Sequence, residues 1–262
     1  WVTTARMETL RSPKQLTGPA LGIPSLTFRA WYECQFGLSA WDELDKIPRL
    51  QWMDYLRWYR KVLKLEVLNL HEVKKVQPRA DQLVELHIQS PTGLQTVYAR
   101  RLIMATGRDG LGGAYLPEIA KTIPDHYWAH SSDAFDYSTL RNKRVGVVGA
   151  GASAMDSAAT ALEEGAAQVD LIVRRTDLPR INKGKGAGNA GMVQGFAHLS
   201  PEWKWRIRHY LGTQQVPSPR GSTLRVSQFS NAKFNLGCAL EKIEIENEKV
   251  VVKTSRGTFT LD

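Results

Sequence analysis

The chain has 262 residues, 42% of them hydrophobic and 23% charged, which is enough apolar surface for one or two cores, so disorder is not the default expectation. No apolar run approaches the roughly 20 residues of a membrane-spanning helix, and the first residues lack the apolar core of a secretory signal, so we expect no membrane span and a cytoplasmic location. A net charge of +9 requires that anionic partners be considered, whereas two distant cysteines, Cys34 and Cys238, lack the spacing of a metal site and are assigned a structural role.

Three short alternating segments in the first half of the chain predict an antiparallel β-meander. They span Leu70–Val76, Leu83–Gln89 and Leu94–Ala99, and stretches rich in Pro, Asp and Gly separate them. Directly after them, Arg101–Gly107 (RLIMATG) has the pattern of a buried strand that runs into a tight glycine turn. We expect this strand to join a main sheet.

The second half begins with the pattern of a βαβ unit. Lys143–Val148 is a short apolar strand with β-branched residues, and a glycine turn follows it. The pattern then predicts a helix over Ser153–Glu164 and a second strand over Gln168–Val173.

Two basic stretches follow, and each has two interpretations. Ile181–Met192 (INKGKGAGNAGM) either folds over a cofactor or forms a mobile connection, and we favour the connection because no strand precedes its glycines. Lys204–Tyr210 (KWRIRHY) mixes cations with aromatics, as in a nucleic-acid surface or on an amphipathic helix with a solvated face and an apolar underside. We favour the helix and expect no nucleic-acid partner.

A second meander lies near the end of the sequence, over Ala239–Glu246, Lys249–Thr254 and Thr258–Leu261. The order of elements therefore repeats, and we predict an α/β fold with two dinucleotide-binding, Rossmann-like, three-layer domains, each with an antiparallel β-meander. Both domains are expected to be incomplete, because the first half lacks an opening βαβ unit and the second lacks a strand equivalent to RLIMATG. We therefore expect the chain alone to leave sheet edges open and to fold poorly or aggregate.

The turn after the Lys143–Val148 strand contains the dinucleotide-binding pattern G-x-G-x-x-G/A. Gly149 permits the tight turn, Gly151 lets the backbone approach a pyrophosphate, and Ala154 is small enough for the helix to pack on the strand. The free N–H groups at the start of the helix and the positive end of its dipole favour phosphate there. A glycine turn that serves only packing is the alternative, but the strand–turn–helix setting favours dinucleotide binding. The candidate ligands are Gly149, Gly151, Ala152, Ser153 and Ala154.

The next strand ends in Arg174 and Arg175. An NAD site usually has a carboxylate there, roughly 20 residues after the glycines, which binds the ribose 2′-hydroxyl. A guanidinium can instead bind a 2′-phosphate through paired hydrogen bonds, so NADP(H) is favoured over NAD(H) and both arginines are candidate ligands. The alternative is a solvated strand end. Asp156, on the first turn of the helix, is expected only to complement the helix dipole.

Together these motifs resemble those of class B flavoprotein monooxygenases, which include the flavin-containing and Baeyer-Villiger monooxygenases. The Gly149–Ala154 loop has their GxGxSA form, and Arg174 matches their arginine after the second strand. Ala105–Gly110 (ATGRDG) is similar to the ATG turn that closes the flavin domain, and Met7–Pro19 (METLRSPKQLTGP) is similar to the segment after the FAD-binding opening.

The linker before the second half matches the family fingerprint, FxGxxxH often continuing as HSS, only in part. His130, Ser131 and Ser132 supply HSS, but Pro124 and His126 stand where Phe and Gly are expected. This departure disfavours the typical Baeyer-Villiger subclass and favours a relative of the flavin-containing monooxygenases. His130 fits a role at a domain junction as well as a catalytic one, so no catalytic residue is assigned.

The resemblance implies an FAD domain interrupted by an NADPH domain. We expect residues 1–135 to be a partial FAD-binding domain without its first βαβ unit, and residues 136–262 a partial NADPH-binding domain without its final strand. Thr106 and Gly107 are the candidate residues on the flavin side, and FAD and NADPH are the expected cofactors. The family's first GxGxxG would precede Trp1, so we expect this piece alone to bind FAD weakly or not at all and to be inactive.

The function implied by the resemblance is that of an NADPH-consuming, FAD-dependent monooxygenase. NADPH reduces FAD, the reduced flavin takes up O₂ to give a C4a-(hydro)peroxyflavin, and a small organic substrate is oxygenated, without a metal. One alternative is an NADPH-dependent flavin reductase or dehydrogenase without oxygen insertion, for which the absence of CxxC argues against a disulfide relay. Another is a non-catalytic NADPH-binding module with a nucleic-acid surface.

Overall fold

The computed structural model describes residues 5–16, 18–107 and 112–262, which fall into two compact units. The first unit contains the described residues before position 17, Asp42–Leu50 and Leu116–Asp262. The second contains the described residues of Gly18–Trp41 and Gln51–Tyr115. The predicted α/β class is confirmed, because helices combine with parallel and antiparallel sheets. The predicted boundary between cofactor domains at residue 135 stays a prediction.

Three helices that the sequence analysis did not predict come first: α1 (Phe28–Phe36), α2 (Leu38–Glu43) and α3 (Arg49–Val62). The Thr27 side chain caps α1 by accepting a hydrogen bond from the backbone N–H of Ala30 at 3.1 Å. α1 ends at Gly37, whose φ of +90° favours glycine.

An aromatic cluster forms the core of the second unit. Phe28 is fully buried at its centre. Four rings, those of Trp31, Tyr32, Trp52 and Tyr55, lie with centroids 5.4–5.8 Å from that of Phe28. The Tyr55 hydroxyl donates to the Leu26 carbonyl at 2.7 Å, so the one polar atom of this buried ring is paired.

The predicted first meander is confirmed. Strands β1 (Glu72–Pro78), β2 (Val84–Ser90) and β3 (Gly93–Ala99) pair antiparallel in that order. Each lies within two residues of its predicted start, because the alternation and the turn residues are local signals.

The predicted buried strand at Arg101–Gly107 is wrong. These residues form no β structure, Ile103 and Met104 are 87% and 67% exposed, and Gly107 adopts a turn with φ of +66°. A strand needs a neighbour for its backbone hydrogen bonds and a layer to cover its side chains. None of the sheets in the described part of the chain extends to this segment.

The first unit contains a parallel sheet in the order β4-β5-β6. The predicted βαβ unit is confirmed as β4 (Arg144–Val148), α4 (Ala152–Glu163) and β5 (Gln168–Val173), and β6 (Ala232–Leu236) was not predicted. The second meander is also confirmed, with strands β7, β8 and β9 at Leu240–Glu246, Lys249–Thr254 and Gly257–Leu261.

Strand β5 is buried on both faces and defines three layers. On one face, Val169, Leu171 and Val173 pack with apolar residues of α4. On the other, Ile172 packs with residues of the second meander, Val250, Val252 and Leu261. A helix layer and a meander therefore cover the parallel sheet from opposite sides, as predicted for this half.

Three helices lie between β5 and β6: α5 (Ala190–Gly195), α6 (Pro201–Thr213) and α7 (Arg220–Ser227). The glycine-rich segment contains a short 3-10 helix at Lys185–Gly188 and the beginning of α5. The helix predicted around Lys204–Tyr210 is present as α6, but none of its residues is buried, so the apolar underside expected there is not covered. Across the described residues, no helix is long and apolar enough to cross a membrane.

Candidate dinucleotide-binding site

Gly149 and Gly151 shape the loop between β4 and α4. Gly149 has a φ of +112°, which favours glycine, and its N–H donates to the Ile172 carbonyl at 3.0 Å. Gly151 is the N-cap of α4 with a φ of −78°, and a Cβ added to it would meet no heavy atom within 4 Å. The loop is therefore anchored at its first glycine and open at its second, as the approach of a pyrophosphate requires.

The first turn of α4 directs backbone donors towards this open space. Ala152, Ser153 and Ala154 occupy that turn, where N–H groups have no carbonyl of their own helix to bond and the helix dipole is positive. A Cβ on Gly149 would lie 3.7 Å from that of Ala154, so the turn and the helix approach each other closely at these two positions. The Ser218 hydroxyl donates to the Ala150 carbonyl at 2.5 Å and so fixes the backbone between the two glycines.

Arg174 and Arg175 lie at the same edge of the sheet as the loop. Val148 pairs with Ile172, so the residues that follow β4 and those that follow β5 leave the sheet side by side. Both arginines are exposed, and within the described residues neither guanidinium has an ion-pair partner. The Arg175 carbonyl accepts from the Gly237 N–H at 2.6 Å, which fixes the backbone there. Two unpaired cations next to an anion-binding turn suit a phosphorylated ligand.

Thr106 and Gly107 belong to the other compact unit. Both are exposed, and a Cβ added to Gly107 would meet no heavy atom within 4 Å. The rest of the ATGRDG motif, residues 108–110, and Thr17 of the METLRSPKQLTGP motif lie outside the described residues. The assignment of Thr106 and Gly107 to the flavin stays a prediction.

The HSS part of the linker forms a turn. The His130 N–H donates to Asp133 Oδ2 at 2.7 Å, and His130 Nδ1 accepts from the Ser132 N–H at 3.2 Å. The imidazole is therefore held by its own turn and is half-buried. Ser131, between these two residues, borders a cavity.

That cavity has a volume of about 190 Å³ and joins the linker to α4. It lies among residues 5–11, Ser131 and the first two turns of α4. Three lining residues, Ser153, Asp156 and Ser157, share one face of the helix because they are spaced three and four positions apart. Two basic residues, Arg6 and Arg11, line the opposite side.

Asp156 is buried and ion-paired, so the prediction that it only complements the helix dipole is wrong. It lies in the second turn of α4, and its exposed fraction is 2%. Arg11 Nη2 donates to Oδ2 at 2.7 Å, and Arg225 Nη1 lies 3.6 Å from Oδ1. Burial of a carboxylate this deep is costly without such partners.

Arg225 connects this carboxylate to the rest of the unit. Its guanidinium donates to both carboxylate oxygens of Glu163, at 2.9 and 2.6 Å, and to the Arg6 carbonyl at 3.0 Å. The Glu163 hydrogen bonds raise the pKa of Arg225, and burial of the guanidinium opposes them. Arg225 therefore stays charged and links α7, α4 and residues 5–11.

Sequence reasoning missed Arg11 and Arg225 as neighbours of the loop. No sequence signal marked this contact, because Asp156 shares its helix face with Ser153 and Ser157, and a carboxylate on a polar face does not by itself require a buried cation. The identity of the cation was not readable either, because Arg11 lies 145 positions from Asp156. The described residues contain no cluster of His, Cys, Asp and Glu suited to a metal.

Comparison with known proteins identifies a matching family and one similar curated relative. The model of the L-lysine 6-monooxygenase/L-ornithine 5-monooxygenase family matches residues 40–190. An FAD-dependent urate hydroxylase from Xanthomonas campestris pv. campestris is 41% identical over 264 aligned residues, which cover 100% of this chain and 55% of the relative. The chain thus spans about half the length of that relative.

Two solved structures share the fold. An ornithine hydroxylase from Pseudomonas aeruginosa matches with a TM-score of 0.75 and 16% identity, covering 100% of this chain and 70% of the other. An ornithine N-hydroxylase from Kutzneria sp. 744, described with reduced FAD, NADP⁺ and L-ornithine, matches with a TM-score of 0.68 and 14% identity over 100% and 70% of the two chains. At this level of identity the two matches establish the fold alone.

Proposed function

The chain belongs to the L-lysine 6-monooxygenase/L-ornithine 5-monooxygenase family, and from this premise we propose that the full-length protein is an NADPH-consuming, FAD-dependent monooxygenase. The family model covers more than half of the chain, and the predicted resemblance to class B flavoprotein monooxygenases is confirmed. The matching family differs from the flavin-containing monooxygenases that the linker fingerprint favoured. The proposed reaction consumes NADPH, a proton and O₂, places one oxygen atom in a small substrate and releases the other as water.

The Gly149–Ala154 loop with Arg174 and Arg175 carries the NADPH part of the proposal. Its residues fit an NADP-type dinucleotide: an open backbone at Gly151, free N–H groups in the first turn of α4, and, at the same sheet edge, two guanidiniums without an ion-pair partner in the described part of the chain. We assign the pyrophosphate to the loop and the ribose 2′-phosphate to the arginines.

FAD enters the proposal through the family and through the urate hydroxylase that is 41% identical. The turn at Thr106 and Gly107 is the assigned contact, and the open space around Gly107 agrees with an approaching ligand. When bound, FAD supplies the redox chemistry by accepting hydride from NADPH and reacting with O₂. This chain's own share is to bind and orient NADPH and to border the reacting region. A cytoplasmic location is part of the same proposal.

Urate is the first candidate substrate, because the urate hydroxylase resembles the whole chain at 41% identity. The second is the side-chain amino group of lysine or ornithine, which the matching family model favours. Carbon hydroxylation of a purine and nitrogen hydroxylation of an amine need the same reductant and oxidant and differ only in the atom that receives oxygen. The substrate alone therefore decides between them.

The test uses the full-length protein reconstituted with FAD under ¹⁸O₂. NADPH oxidation is followed with urate, L-ornithine or L-lysine, and the products are weighed by mass spectrometry. Label in hydroxylated urate supports the first candidate, and label in an N-hydroxylated amine supports the second. NADPH oxidation that yields only hydrogen peroxide or reduced acceptor with every substrate overturns the monooxygenase in favour of a flavin reductase.

Arg174→Ala and Arg208→Ala form a matched pair for the NADPH assignment. Both replace an exposed arginine, but Arg208 lies on α6 and outside the proposed site. The first variant should raise the KM for NADPH and the second should leave it unchanged. Equal effects would overturn the placement of the 2′-phosphate.

An alternative function is that of a non-catalytic NADPH-binding module with a nucleic-acid surface. The exposed surface of α6 favours it. Trp203 and Trp205 are 54% and 68% exposed beside Arg206 and Arg208, an arrangement that suits stacking and phosphate contacts. Titration with duplex DNA at several salt concentrations tests it. Binding that weakens steeply with salt supports a nucleic-acid surface, and no binding removes it.

A further inference from the structure

The cavity beside α4 is lined by Asp156, whose two carboxylate oxygens differ in their partners among the described residues. Within the described residues, Asp156 Oδ1 is buried and accepts no hydrogen bond. Arg225 Nη1 lies 3.6 Å from it, which compensates charge but is too distant for a hydrogen bond. Oδ2, by contrast, accepts from Arg11 at 2.7 Å. An unsatisfied buried acceptor costs free energy, so a ligand that donates an N–H or O–H group to Oδ1 would be stabilised there.

The surroundings restrict the chemistry of that ligand group. Arg11 and Arg225 already neutralise the carboxylate, and Arg6 also lines the cavity, so a further cation is disfavoured. An anion would face the Asp156 carboxylate. A neutral donor such as an amide NH₂ is repelled neither by the arginines nor by the carboxylate.

The position of the cavity selects one end of the dinucleotide. The proposed 2′-phosphate site follows β5, whereas the cavity is lined by α4, Ser131 and residues 5–11. Ser153 belongs both to the first turn of α4, where the pyrophosphate is proposed, and to the cavity wall. The half of the cofactor that leaves the pyrophosphate on this side is the nicotinamide nucleotide, and its ring carries a carboxamide.

We propose that the cavity takes this carboxamide and that its NH₂ group donates to Asp156 Oδ1. The inference rests on the proposed function, because it needs NADPH at the Gly149 loop. The bond makes Asp156 a positioning residue: it restricts rotation of the nicotinamide ring about its glycosidic bond and so selects the face presented for hydride transfer. Arg11 and Arg225 act through Asp156 by pairing with its carboxylate and holding it in place.

The test compares NADP⁺ with 3-acetylpyridine adenine dinucleotide phosphate, in which a methyl group replaces the carboxamide NH₂. Calorimetry on the FAD-loaded full-length protein measures both dissociation constants without turnover. The wild type should bind the analogue about tenfold more weakly, as expected for loss of a hydrogen bond to a charged acceptor. Asp156→Leu, similar in shape but without an acceptor, should bind the two ligands equally.

Ser157→Ala is the matched control. Ser157 lines the same cavity on the same helix face, but its hydroxyl already accepts from the Tyr137 hydroxyl at 3.0 Å. This variant should keep the tenfold preference for NADP⁺. If Asp156→Leu does not fold, Asp156→Asn replaces it, and its weaker amide acceptor should give an intermediate ratio.

The outcomes separate this inference from the function beneath it. Equal affinity of the wild type for both ligands overturns the carboxamide assignment and leaves NADPH binding intact, with water then satisfying Oδ1. A preference that persists undiminished in the Asp156 variants also overturns it. Failure of the wild type to bind NADP⁺ at all overturns the proposed function first.

Discussion

Alanine at Gly151 is expected to weaken NADPH binding without weakening the fold. The backbone there has a φ of −78°, which alanine adopts freely, and the added Cβ meets no heavy atom within 4 Å. Alanine is a poorer N-cap than glycine by about 0.5–1 kcal/mol, and its lower entropy in the unfolded chain offsets about 0.4–1 kcal/mol. The free energy of unfolding should therefore change by only a few tenths of a kcal/mol.

The same methyl group enters the space through which a pyrophosphate reaches the loop. Loss of a single charge-assisted hydrogen bond to phosphate costs about 1.5–3 kcal/mol, so the Kd for NADPH should rise about tenfold to a hundredfold. Gly149→Ala, by contrast, should lower the free energy of unfolding. Its φ of +112° strains alanine by about 1–3 kcal/mol, although the new Cβ would make only an ordinary 3.7 Å contact with Ala154.

The assay pairs two measurements on each variant of the FAD-loaded full-length protein. Urea unfolding gives the free energy of unfolding, and calorimetry gives the Kd for NADPH. Gly151→Ala should separate the two quantities, whereas Gly149→Ala should lower stability. The reasoning would be refuted if Gly151→Ala bound NADPH as tightly as the wild type, or if it lost as much stability as Gly149→Ala.

Three further outcomes are expected. Arg174→Ala should raise the Kd for NADPH about tenfold or more and leave that for NADH unchanged, because only NADPH has the 2′-phosphate; calorimetry that finds equal losses contradicts the assignment. Gly146→Val should lower the urea-unfolding free energy by about 1–3 kcal/mol, because its Cβ would overlap Leu261 Cδ1 in the layer between sheet and meander; unchanged stability would mean that Leu261 yields freely. Burial raises the pKa of Tyr55 to about 12, above the ordinary value near 10. The folded state therefore binds the phenol proton more tightly than the unfolded state. This stabilisation is fully present below pH 10 and is lost as the pH rises towards 12. The Tm of the wild type should fall more steeply across that window than the Tm of Tyr55→Phe, and parallel curves would contradict the assignment.

Local signals made the meanders and the βαβ unit predictable. The turn between β7 and β8 is an example, because Asn247 and Glu248 both adopt positive φ, at +50° and +61°, between two alternating runs. The strand predicted for the RLIMATG segment was wrong because its formation depends on non-local contacts. An apolar run is compatible with a buried strand, but only a hydrogen-bonding neighbour makes it one, and that neighbour is not a property of the run.

Helix α1 was predictable in principle and was missed. Thr27 is a good N-cap residue, Gly37 is a good stop, and Phe28, Trp31 and Tyr32 have the spacing of one helix face. The density of aromatic residues hid this pattern, because Phe, Trp and Tyr favour strands as readily as buried helices.

Within the site, the sequence motif predicted the glycine loop but not the ion pairs of Asp156 behind it in the helix. The requirement for glycine at position 149 follows from the motif, and the structure shows the positive φ there. The environment of Asp156 depends on Arg11 and Arg225, which come from opposite ends of the described chain. Tertiary ion pairs between residues so far apart in the chain leave no trace in a local sequence pattern.

These ion pairs give residues 5–11 a part in the binding loop. Arg225 is 11% exposed, and its guanidinium contacts Glu163 and Asp156 of α4 as well as the Arg6 carbonyl. Residues 5–11 therefore contact, through Asp156 and Arg225, the same helix whose N-cap is Gly151 of the cofactor loop. A buried charge network is seldom the most stabilising way to fill such a space, since apolar residues of similar volume often do as well. Its retention beside an unpaired carboxylate oxygen is therefore better explained by a ligand that completes it than by stability alone.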